Sequence, residues 1–425
     1  MSVGSRQKET VRDERDVAAA QEALHVVFVL GWAFPFGSAY AQRVHAYGRA
    51  LVEQGHRVTV LCIRAVLPPD ASGRKVPTEG VVDGIEYRWT PGQAERESGF
   101  LARRLLELKG AAGGVAHIAR SKRDRGVDAI VTYVVPAWVD LLYRAAAVVE
   151  RLPVVAEKNE YPFPDRSHLS NRVKAFAEEA VSRLCYDGII VISRNLEEYF
   201  GRVAARHARL LRVPILVDFH RFVPVVRDRT TGEVRIAYCG DPYGNKDGVP
   251  ILLEAFARVS AEFPEARLWV IGDSFVPGVL DGLRAKAAGL GIGEQVVFTG
   301  RVSAEEVPRL IGEADVLALA RPTGLQAQGG FPTKLGEYLA TGNPVVVTRV
   351  GELSEWLEDG REVFFCEPDS VDAFAARLRD VLRLPDRGRE VGRRGREKAL
   401  ACFDYRVHAA PLAEFIKSLR KGGRS

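Results

Sequence analysis

Two glycine-rich segments of the chain carry charged side chains that suit an anionic ligand. The first spans residues 239–248, CGDPYGNKDG, and its three glycines give the backbone freedom around Lys246. The second, QGGFPTKLGEYLATG, carries Lys334 and Glu337 shortly after a pair of glycines. An ammonium group can neutralise a diphosphate, and a carboxylate can accept hydrogen bonds from two vicinal hydroxyls. The two segments therefore predict a site for a phosphate-bearing ligand that also carries neighbouring hydroxyls.

Two further loops are weaker candidates for the same ligand. Phe36, Gly37 and Ser38 lie between a predicted strand and a helix, so their backbone amides could approach an anion at the helix start. Arg301 and Val302 follow another predicted strand and could offer backbone groups and a flat surface to a nucleobase.

Each of these candidates has a structural alternative. Lys246 is also typical of a solvated loop, Glu337 of a surface ion pair, and Gly37 of a plain turn. Ser303 and Glu306 have the spacing of a capping box, which accounts for their loop without any ligand.

The elements around these loops alternate between buried strands and helices. From His25, HVVFVL reads as a strand, AQRVHAYGRALVEQGH as a helix and RVTVLC as a second strand, which predicts a parallel βαβ unit. The alternation stops in the turn-prone VVRDRTTGE and restarts at VRIAYC. We therefore expect two Rossmann-like α/β domains, residues 25–228 and 229–403, facing each other across a cleft. A flexible polar leader, residues 1–24, and a helix in residues 404–425 that crosses back to the first domain complete this division.

Composition excludes several classes of function. The formal net charge is only +5 among 60 basic and 55 acidic residues, so nucleic acid is not an indicated partner. The five cysteines are widely spaced and form no metal-binding pattern, which favours a reducing compartment. The N-terminal residues lack the apolar stretch of a signal peptide, and no run is long enough to span a bilayer. We expect a cytoplasmic protein. Residues 100–126 mix apolar and basic side chains and could form an ordinary surface helix pair or touch an anionic membrane at its inner face.

Together these segments resemble the retaining glycosyltransferase family 4, also called glycosyl transferases group 1, from about His25 to the C-terminal helix. The resemblance lies in FGSAYAQRVHAYGRALVEQGHRVTVL, VISRNLEEYF, IAYCGDPYGNKDGVPILLEAF and FPTKLGEYLATGNPVVVTRVGEL. It implies the GT-B fold and the transfer of a sugar from a nucleoside diphosphate sugar to a glycan, a lipid-linked or a small-molecule acceptor. Since no DxD-like pair lies in a suitable loop, we expect no metal, and no further cofactor.

The resemblance also assigns residues to roles. Lys246 and Lys334 would hold the departing diphosphate, and Glu337 the donor ribose. Glu160, in AEKNEYPFPD, would bind the acceptor or stabilise local charge, with Arg43 or His45 as weaker candidates. Contacts to the donor are expected at Gly37, Ser38, Gly240, Asp241, Arg301, Val302, Gln326, Gly329, Gly330, Phe331, Pro332 and Thr333.

The chain departs from the family pattern at two positions. Gly329 stands where the family often has the first glutamate of an E-x7-E motif, and Asp241 where it often has an arginine. Gln326, Gln328 or backbone amides could replace the glutamate, and Lys334 the arginine. These departures leave two alternatives open: a catalytically silent subunit that binds nucleotide sugars, and another GT-B enzyme such as a nucleotide-sugar epimerase or an inverting transferase.

Overall fold

The computed structural model of the protein describes residues 23–36, 39–68, 76–162, 168–225 and 232–422. The expected leader therefore lies almost wholly outside the described residues, as do Gly37 and Ser38 and residues 226–231 next to the expected domain boundary.

A mainly parallel sheet with helices on its faces forms the first half of the chain. Within the described residues it has eight strands in the order β3-β4-β2-β1-β5-β6-β7-β8. Its strands are β1 His25–Leu30, β2 Arg57–Cys62, β3 Glu79–Val82, β4 Ile85–Trp89, β5 Ala129–Tyr133, β6 Val154–Lys158, β7 Gly188–Val191 and β8 Arg209–Arg212. Its helices are α1 Ala39–Val52, α2 Phe100–Asp124, α3 Ala137–Glu150, α4 Leu169–Leu184 and α5 Arg194–Val203.

A second parallel sheet follows, with six strands among the described residues in the order β11-β10-β9-β12-β13-β14. These strands are β9 Val234–Cys239, β10 Ala266–Ile271, β11 Val296–Gly300, β12 Val316–Leu319, β13 Val345–Thr348 and β14 Phe364–Cys366. The helices are α6 Val249–Ser260, α7 Val279–Gly289, α8 Val307–Gly312, α9 Leu325–Gly329, α10 Thr333–Thr341, α11 Leu353–Trp356, α12 Val371–Arg383, α13 Pro385–Phe403 and α14 Ala409–Gly422.

The central strands are apolar throughout because helices cover both faces of each sheet. Every residue of β1, HVVFVL, is buried, and the strand pairs in parallel with β2 and β5. In the second sheet β12, VLAL, is equally buried between β9 and β13. Continuous apolar runs are typical of parallel sheets that are covered on both sides. The prediction of two Rossmann-like α/β domains is confirmed.

One element of the first sheet was not predicted. Strands β3 and β4 form an antiparallel hairpin whose turn is Asp83 and Gly84, both with positive φ angles of 46° and 77°. A two-residue Asp-Gly turn of this kind is a known hairpin signal. It extends the sheet beyond β2 and brings the segment after β4 to the same edge as the other strand ends.

The chain passes between the two domains at two places that lie side by side. The Val217 amide donates to the Phe403 carbonyl at 2.8 Å, and the Tyr405 amide donates to the Val217 carbonyl at 3.2 Å. Beyond this point α14 packs on the first domain, where Phe415 and Leu419 lie so close to Gly188 that a side chain there would contact both.

All five cysteines are free. Among the helices of the described residues, none combines the length and the apolar character that crossing a bilayer requires.

Candidate functional site

Three of the sequence-predicted residues meet where the carboxyl ends of the two sheets face each other. Glu160 follows β6, Lys246 follows β9 and Gln326 lies in α9. The Lys246 Nζ atom lies 3.1 Å from Glu160 Oε1, and Gln326 Nε2 donates to the same oxygen at 3.3 Å. The Lys246 and Glu160 side chains are 46% and 44% exposed, so a ligand can reach both. The contact joins a first-domain carboxylate to second-domain donors.

Lys334 belongs to the first turn of α10, and its side chain lies against the start of the loop that contains Lys246. A Cβ atom built on Gly240 would lie 1.9 Å from Lys334 Cε, so the lysine crosses directly over the glycine backbone. Lys334 Nζ ends 2.9 Å from the Oδ2 atom of buried Asp247, which also accepts from the Tyr238 hydroxyl at 2.8 Å. Burial alone would raise the pKa of Asp247, but Lys334 and Tyr238 outweigh it, and the pKa lies below its usual value. An ionised Asp247 therefore holds Lys334 in place.

Glu337 lies one turn further along α10 and keeps its carboxylate partly accessible. Its Oε1 atom lies 3.8 Å from Arg221 Nη1, too far for a hydrogen bond. Burial raises the pKa of Glu337, although Arg221 and Lys334 oppose the shift. Among the described residues none donates a hydrogen bond to this carboxylate, so its oxygens are available to ligand hydroxyls.

Arg321 is a cation at this site that sequence reasoning missed. It follows β12, its side chain is buried, and its Nη2 atom donates to the Gln326 carbonyl at 3.1 Å. Burial lowers the pKa of its guanidinium, while nearby Asp247 and Glu160 favour the charged form. An arginine directly after an apolar strand end, DVLALAR, was the available signal. A buried guanidinium group requires compensating anions, and Asp247 and Glu160 supply them here. Arg321 is thus a third cation at the site, beside Lys246 and Lys334.

A flat cation-π pair lies beside the predicted nucleobase position. The Arg301 guanidinium carbon lies 4.4 Å from the ring centre of Phe275, which is 75% exposed. Val302 is partly buried against the core. Ser303 and Glu306 form the two reciprocal bonds of a capping box, each 3.2 Å from backbone amide to side-chain oxygen. The loop after β11 therefore contains a capping box and also supplies Arg301 to the exposed pair with Phe275 from the loop after β10.

Several predicted donor contacts are engaged in local structure. The Asp241 Oδ1 atom accepts from the Tyr243 amide at 2.9 Å, and this bond shapes the loop itself. The Gly330 amide donates to the Gln326 carbonyl at 3.0 Å, so this N–H group is already paired inside the protein. The Phe331 ring is buried, with its centre 5.5 Å from that of Phe403, away from the cleft. Pro332 and Thr333 form the start of α10.

The position where the family pattern places a glutamate is closed by the first domain. A Cβ atom on Gly329 would lie 2.6 Å from the Tyr161 ring. The Gly329 carbonyl accepts from Ser193 Oγ at 2.5 Å, and the neighbouring Gln328 carbonyl accepts from Asn195 Nδ2 at 2.7 Å. Tyr161 therefore takes the space of the missing side chain, and α5 is fixed against α9.

A cavity of about 240 Å³ opens on the first-domain side of this contact and includes Glu160 in its lining. Asn159 Nδ2 donates to the Tyr133 hydroxyl at 2.5 Å, while its Oδ1 atom is buried with no hydrogen-bond partner in the described part of the chain. Val134, on the same wall, has a φ of 54°, a strained conformation for a β-branched residue. The cavity thus offers an unused acceptor beside a carboxylate.

Neither of the two weaker acceptor candidates lines the cavity beside Glu160, although His45 lines another cavity together with Arg221 and Glu337. Arg43 is buried and its Nε atom lies 2.5 Å from Glu157 Oε1, with further bonds to the Val213 and Pro214 carbonyls. These contacts use the guanidinium inside the domain core, so Arg43 does not face an acceptor, contrary to that expectation. The Nε2 atom of His45 makes a hydrogen-bond contact of 2.9 Å with Asp83 Oδ2 at the hairpin turn.

Within the described residues, no three His, Cys, Asp or Glu side chains are grouped as the ligands of a metal ion.

Family models match both halves of the chain. A glycosyl transferase 4-like domain matches residues 38–215, and glycosyl transferases group 1 matches residues 233–383. Similar proteins include the GDP-mannose-dependent alpha-(1-6)-phosphatidylinositol monomannoside mannosyltransferase of Mycolicibacterium smegmatis, 30% identical over 257 residues. The match covers 58% of this chain and 66% of that relative. Mannosylfructose-phosphate synthase of Agrobacterium fabrum is 27% identical over 256 residues, which cover 56% of this chain and 54% of the relative. The matches thus leave at least a third of each relative's length unaligned.

Solved structures with the same fold include sucrose-phosphate synthase from Thermosynechococcus elongatus. It superposes with a TM-score of 0.71 at 17% identity, over 94% of this chain and 100% of that chain. HepE from Anabaena, in complex with UDP and glucose, gives a TM-score of 0.67 at 16% identity, over 93% of this chain and 100% of that chain. At these identities the likeness concerns the two-domain fold alone.

Proposed function

Because the chain belongs to the glycosyl transferases group 1 family, we propose that it is a retaining glycosyltransferase that uses a nucleoside diphosphate sugar. One observation carries the proposal: Lys246, Lys334 and Arg321 converge at the carboxyl end of the second sheet, opposite Glu160 of the first domain. Ligands of open parallel sheets bind at this edge. A cluster of cations at this edge suits a diphosphate leaving group.

The proposed mechanism follows from the charges at the site. As the bond between the anomeric carbon and the diphosphate breaks, negative charge grows on the phosphate and positive charge on the sugar. Fixed cations at Lys246 and Lys334 stabilise the phosphate, and Glu337 holds the ribose hydroxyls. The donor phosphate takes the place of Glu160 beside Lys246, which leaves that carboxylate free to contact the acceptor or the developing positive charge. No metal is required in this scheme.

The donor to test first is GDP-mannose. The relative from Mycolicibacterium smegmatis is named as dependent on this nucleotide sugar. In our proposal the base lies beside Arg301 and Phe275, whose stacked surface accepts any planar ring. UDP sugars and ADP sugars therefore belong in the same screen.

We place the protein in the cytoplasm, with peripheral contact between α2 and an anionic membrane. The free cysteines fit a reducing compartment. Exposed Phe100, Leu101, Leu105 and Leu108 share one face of α2, and Arg104 lies among them. An apolar helix face with basic neighbours suits the interface of an anionic bilayer.

A subunit that binds nucleotide sugars without transferring them is the second candidate. The Tyr161 ring against Gly329 favours it, because this contact replaces a carboxylate that the family pattern expects. Binding of a nucleoside diphosphate is common to both candidates, whereas turnover separates them.

The experiment measures binding and turnover in the same samples. Purified protein is titrated with GDP, UDP and ADP by calorimetry, and each matching nucleotide sugar is then incubated with protein alone and with acceptor mixtures. We expect submillimolar binding of one nucleotide and slow release of free sugar, with retained configuration in any transfer product. Tight binding with neither hydrolysis nor transfer would favour the silent subunit. A change of configuration in the donor sugar without transfer would favour an epimerase. Absence of any nucleotide binding would refute the site.

A further inference from the structure

We propose that a second pocket of the first domain binds a phosphate group carried by the acceptor. The pocket, here called the arginine pocket, is defined by Arg64, Arg96, Arg103 and Arg104. This inference rests on the proposed function, since it describes the substrate that receives the sugar.

The arginine pocket is a cavity of about 270 Å³ at the carboxyl edge of the first sheet. Its wall comes from the segments that follow β1, β2 and β4, and from the first two turns of α2. Trp32 and Phe100 supply apolar surface. A cavity of this size has room for a phosphate ester and part of the group attached to it.

Two of the four arginines are fixed and two are free to bind a ligand. Buried Glu107 lies 3.1 Å from Arg64 Nε and 2.8 Å from Arg104 Nη1, and so holds both guanidinium groups at the wall. Arg96 and Arg103 make no ion pair with any residue that the structure describes. With the second carboxylate of the lining, Glu97, included, four guanidinium groups stand against two carboxylates, so an excess of positive charge remains. Guanidinium groups match the oxygens of phosphate bidentately.

The start of α2 adds to the attraction for an anion. This helix of 25 residues begins after Gly99, with no side-chain cap and no acidic residue in its first turn. Helix N-termini present unbonded N–H groups and the positive end of the helix dipole. Here that end lies in the wall of a cavity already rich in arginine.

A continuous row of aromatic rings joins the arginine pocket to the cavity beside Glu160. Trp32 lines the arginine pocket, and its ring centre lies 6.0 Å from that of Tyr40. Tyr40 lies 5.6 Å from Tyr133, and both line the cavity that contains Glu160. The walls of the two cavities are thus linked by neighbouring aromatic side chains, and in our proposal one acceptor places its phosphate among the arginines while it presents a hydroxyl to the donor cleft.

The first test measures phosphate binding while the donor site is blocked. Protein saturated with the nucleoside diphosphate that it binds is titrated with inorganic phosphate, and the melting temperature is followed. We expect phosphate to raise the melting temperature of the wild type and of Arg120→Ala, a substitution on an exposed part of α2 outside the pocket. In the double variant R96A/R103A the rise should disappear. An equal rise in all three proteins would overturn the proposal.

The second test compares acceptors. Transfer is measured to a neutral monosaccharide, to the same sugar as its 6-phosphate, and to vesicles of phosphatidylcholine with or without phosphatidylinositol. We expect phosphate-bearing acceptors to be preferred, and R96A/R103A to raise their KM by about 10-fold to 100-fold, as expected for lost charge-assisted bonds. Donor hydrolysis and nucleotide affinity should stay at wild-type values in this variant.

The outcomes separate the two proposals. Preference for the soluble phosphate identifies a water-soluble acceptor, and preference for phosphatidylinositol vesicles a lipid one; either result supports the pocket. Equal use of neutral and phosphorylated acceptors, or an unchanged KM in R96A/R103A, would refute it. If the wild type binds no nucleotide, the proposed function is refuted. In that case the phosphate titration is done without nucleotide, and its comparison with R96A/R103A still shows whether the arginine pocket binds phosphate.

Discussion

Lys334 crosses the backbone of Gly240 so closely that a methyl group on the glycine would lie 1.9 Å from the lysine Cε atom. The contact joins α10 to the loop after β9, the two segments that the sequence analysis singled out. Lys334 can occupy this position only because Gly240 has no side chain.

Gly240→Ala should therefore displace Lys334 from the proposed diphosphate site. We expect nucleotide affinity to fall about 10-fold or more, because a charge-assisted bond is worth about 1.5–3 kcal/mol. Calorimetric titration with the nucleoside diphosphate measures the change. Gly282→Ala, on α7 with open space around it, is the matched control and should bind as the wild type does. Equal affinity in both variants would show that Lys334 does not contact the nucleotide.

Lys246→Ala should reduce sugar transfer without a comparable loss of stability. Its contact with Glu160 is half exposed, and such ion pairs contribute about 0–1 kcal/mol. Loss of a cation that stabilises the leaving group should lower kcat by about 100-fold. Lys286→Ala breaks the similarly exposed pair with Glu254 and should leave transfer unchanged. Melting temperatures and initial rates of all three proteins check both parts of the prediction.

Glu337→Gln should change stability in a way that depends on pH. Burial raises the pKa of Glu337 above its value in the unfolded chain, so the folded protein holds this proton more firmly. The contribution of Glu337 to stability therefore falls as the pH rises from its unfolded pKa through its folded pKa. The difference in unfolding free energy between the variant and the wild type should therefore favour the variant more at pH 7 than at pH 4. Denaturant unfolding of both proteins at both pH values measures this difference.

The same substitution should weaken nucleotide binding, because an amide accepts fewer hydrogen bonds than a carboxylate. The wild-type affinity should fall as the pH drops and Glu337 takes up its proton, whereas the affinity of Glu337→Gln should change much less. Parallel pH profiles would exclude Glu337 from the ribose site.

Gly329→Glu should push Tyr161 out of its position and impair contact between the domains. The Tyr161 ring lies 2.6 Å from the Cβ atom that any side chain at residue 329 requires. In a double-mutant cycle with Tyr161→Ala we expect a coupling energy of about 0.5–3 kcal/mol in unfolding experiments. The single variant should lose transfer, and the pair should recover part of it. Additive effects would mean that the two positions act independently.

Arg43→Ala should destabilise the protein by about 3–5 kcal/mol, since it leaves the buried Glu157 carboxylate without its cation. His45→Ala, which breaks a half-exposed contact with Asp83, should cost less than about 1 kcal/mol. Urea unfolding of both variants measures the difference. A small effect of Arg43→Ala would reopen a role for this residue outside the core.

The fold was predictable because its strands are locally encoded. Runs such as HVVFVL and VLAL are short, mainly apolar and bounded by loops, which is typical of buried strands in a parallel sheet. The β3–β4 hairpin was missed although Asp83 and Gly84 are a recognised turn, since its strands alternate too weakly to attract attention.

The site was predictable only in part, because many of its contacts are long range. Lys246 and Lys334 stand out by their glycine-rich surroundings. Asp247 lies in the same glycine-rich segment as Lys246, and Arg321 directly follows an apolar strand. Neither position reveals its partner, since Asp247 fixes Lys334 and Arg321 is buried beside Gln326. Nothing in the sequence near Gly329 indicates that a tyrosine 168 positions earlier fills its missing side chain. Such pairings depend on how the two sheets face each other.

Both covalent links between the domains run side by side, where Val217 is bonded to Phe403 and Tyr405. A rotation about this line would stretch neither link, so the pair of crossings can serve as a hinge. On the far side, the domains are held by small contacts such as Ser193 with Gly329 and Glu160 with Lys246. A rotation that opened the cleft would break these contacts and leave the bonds at Val217 in place.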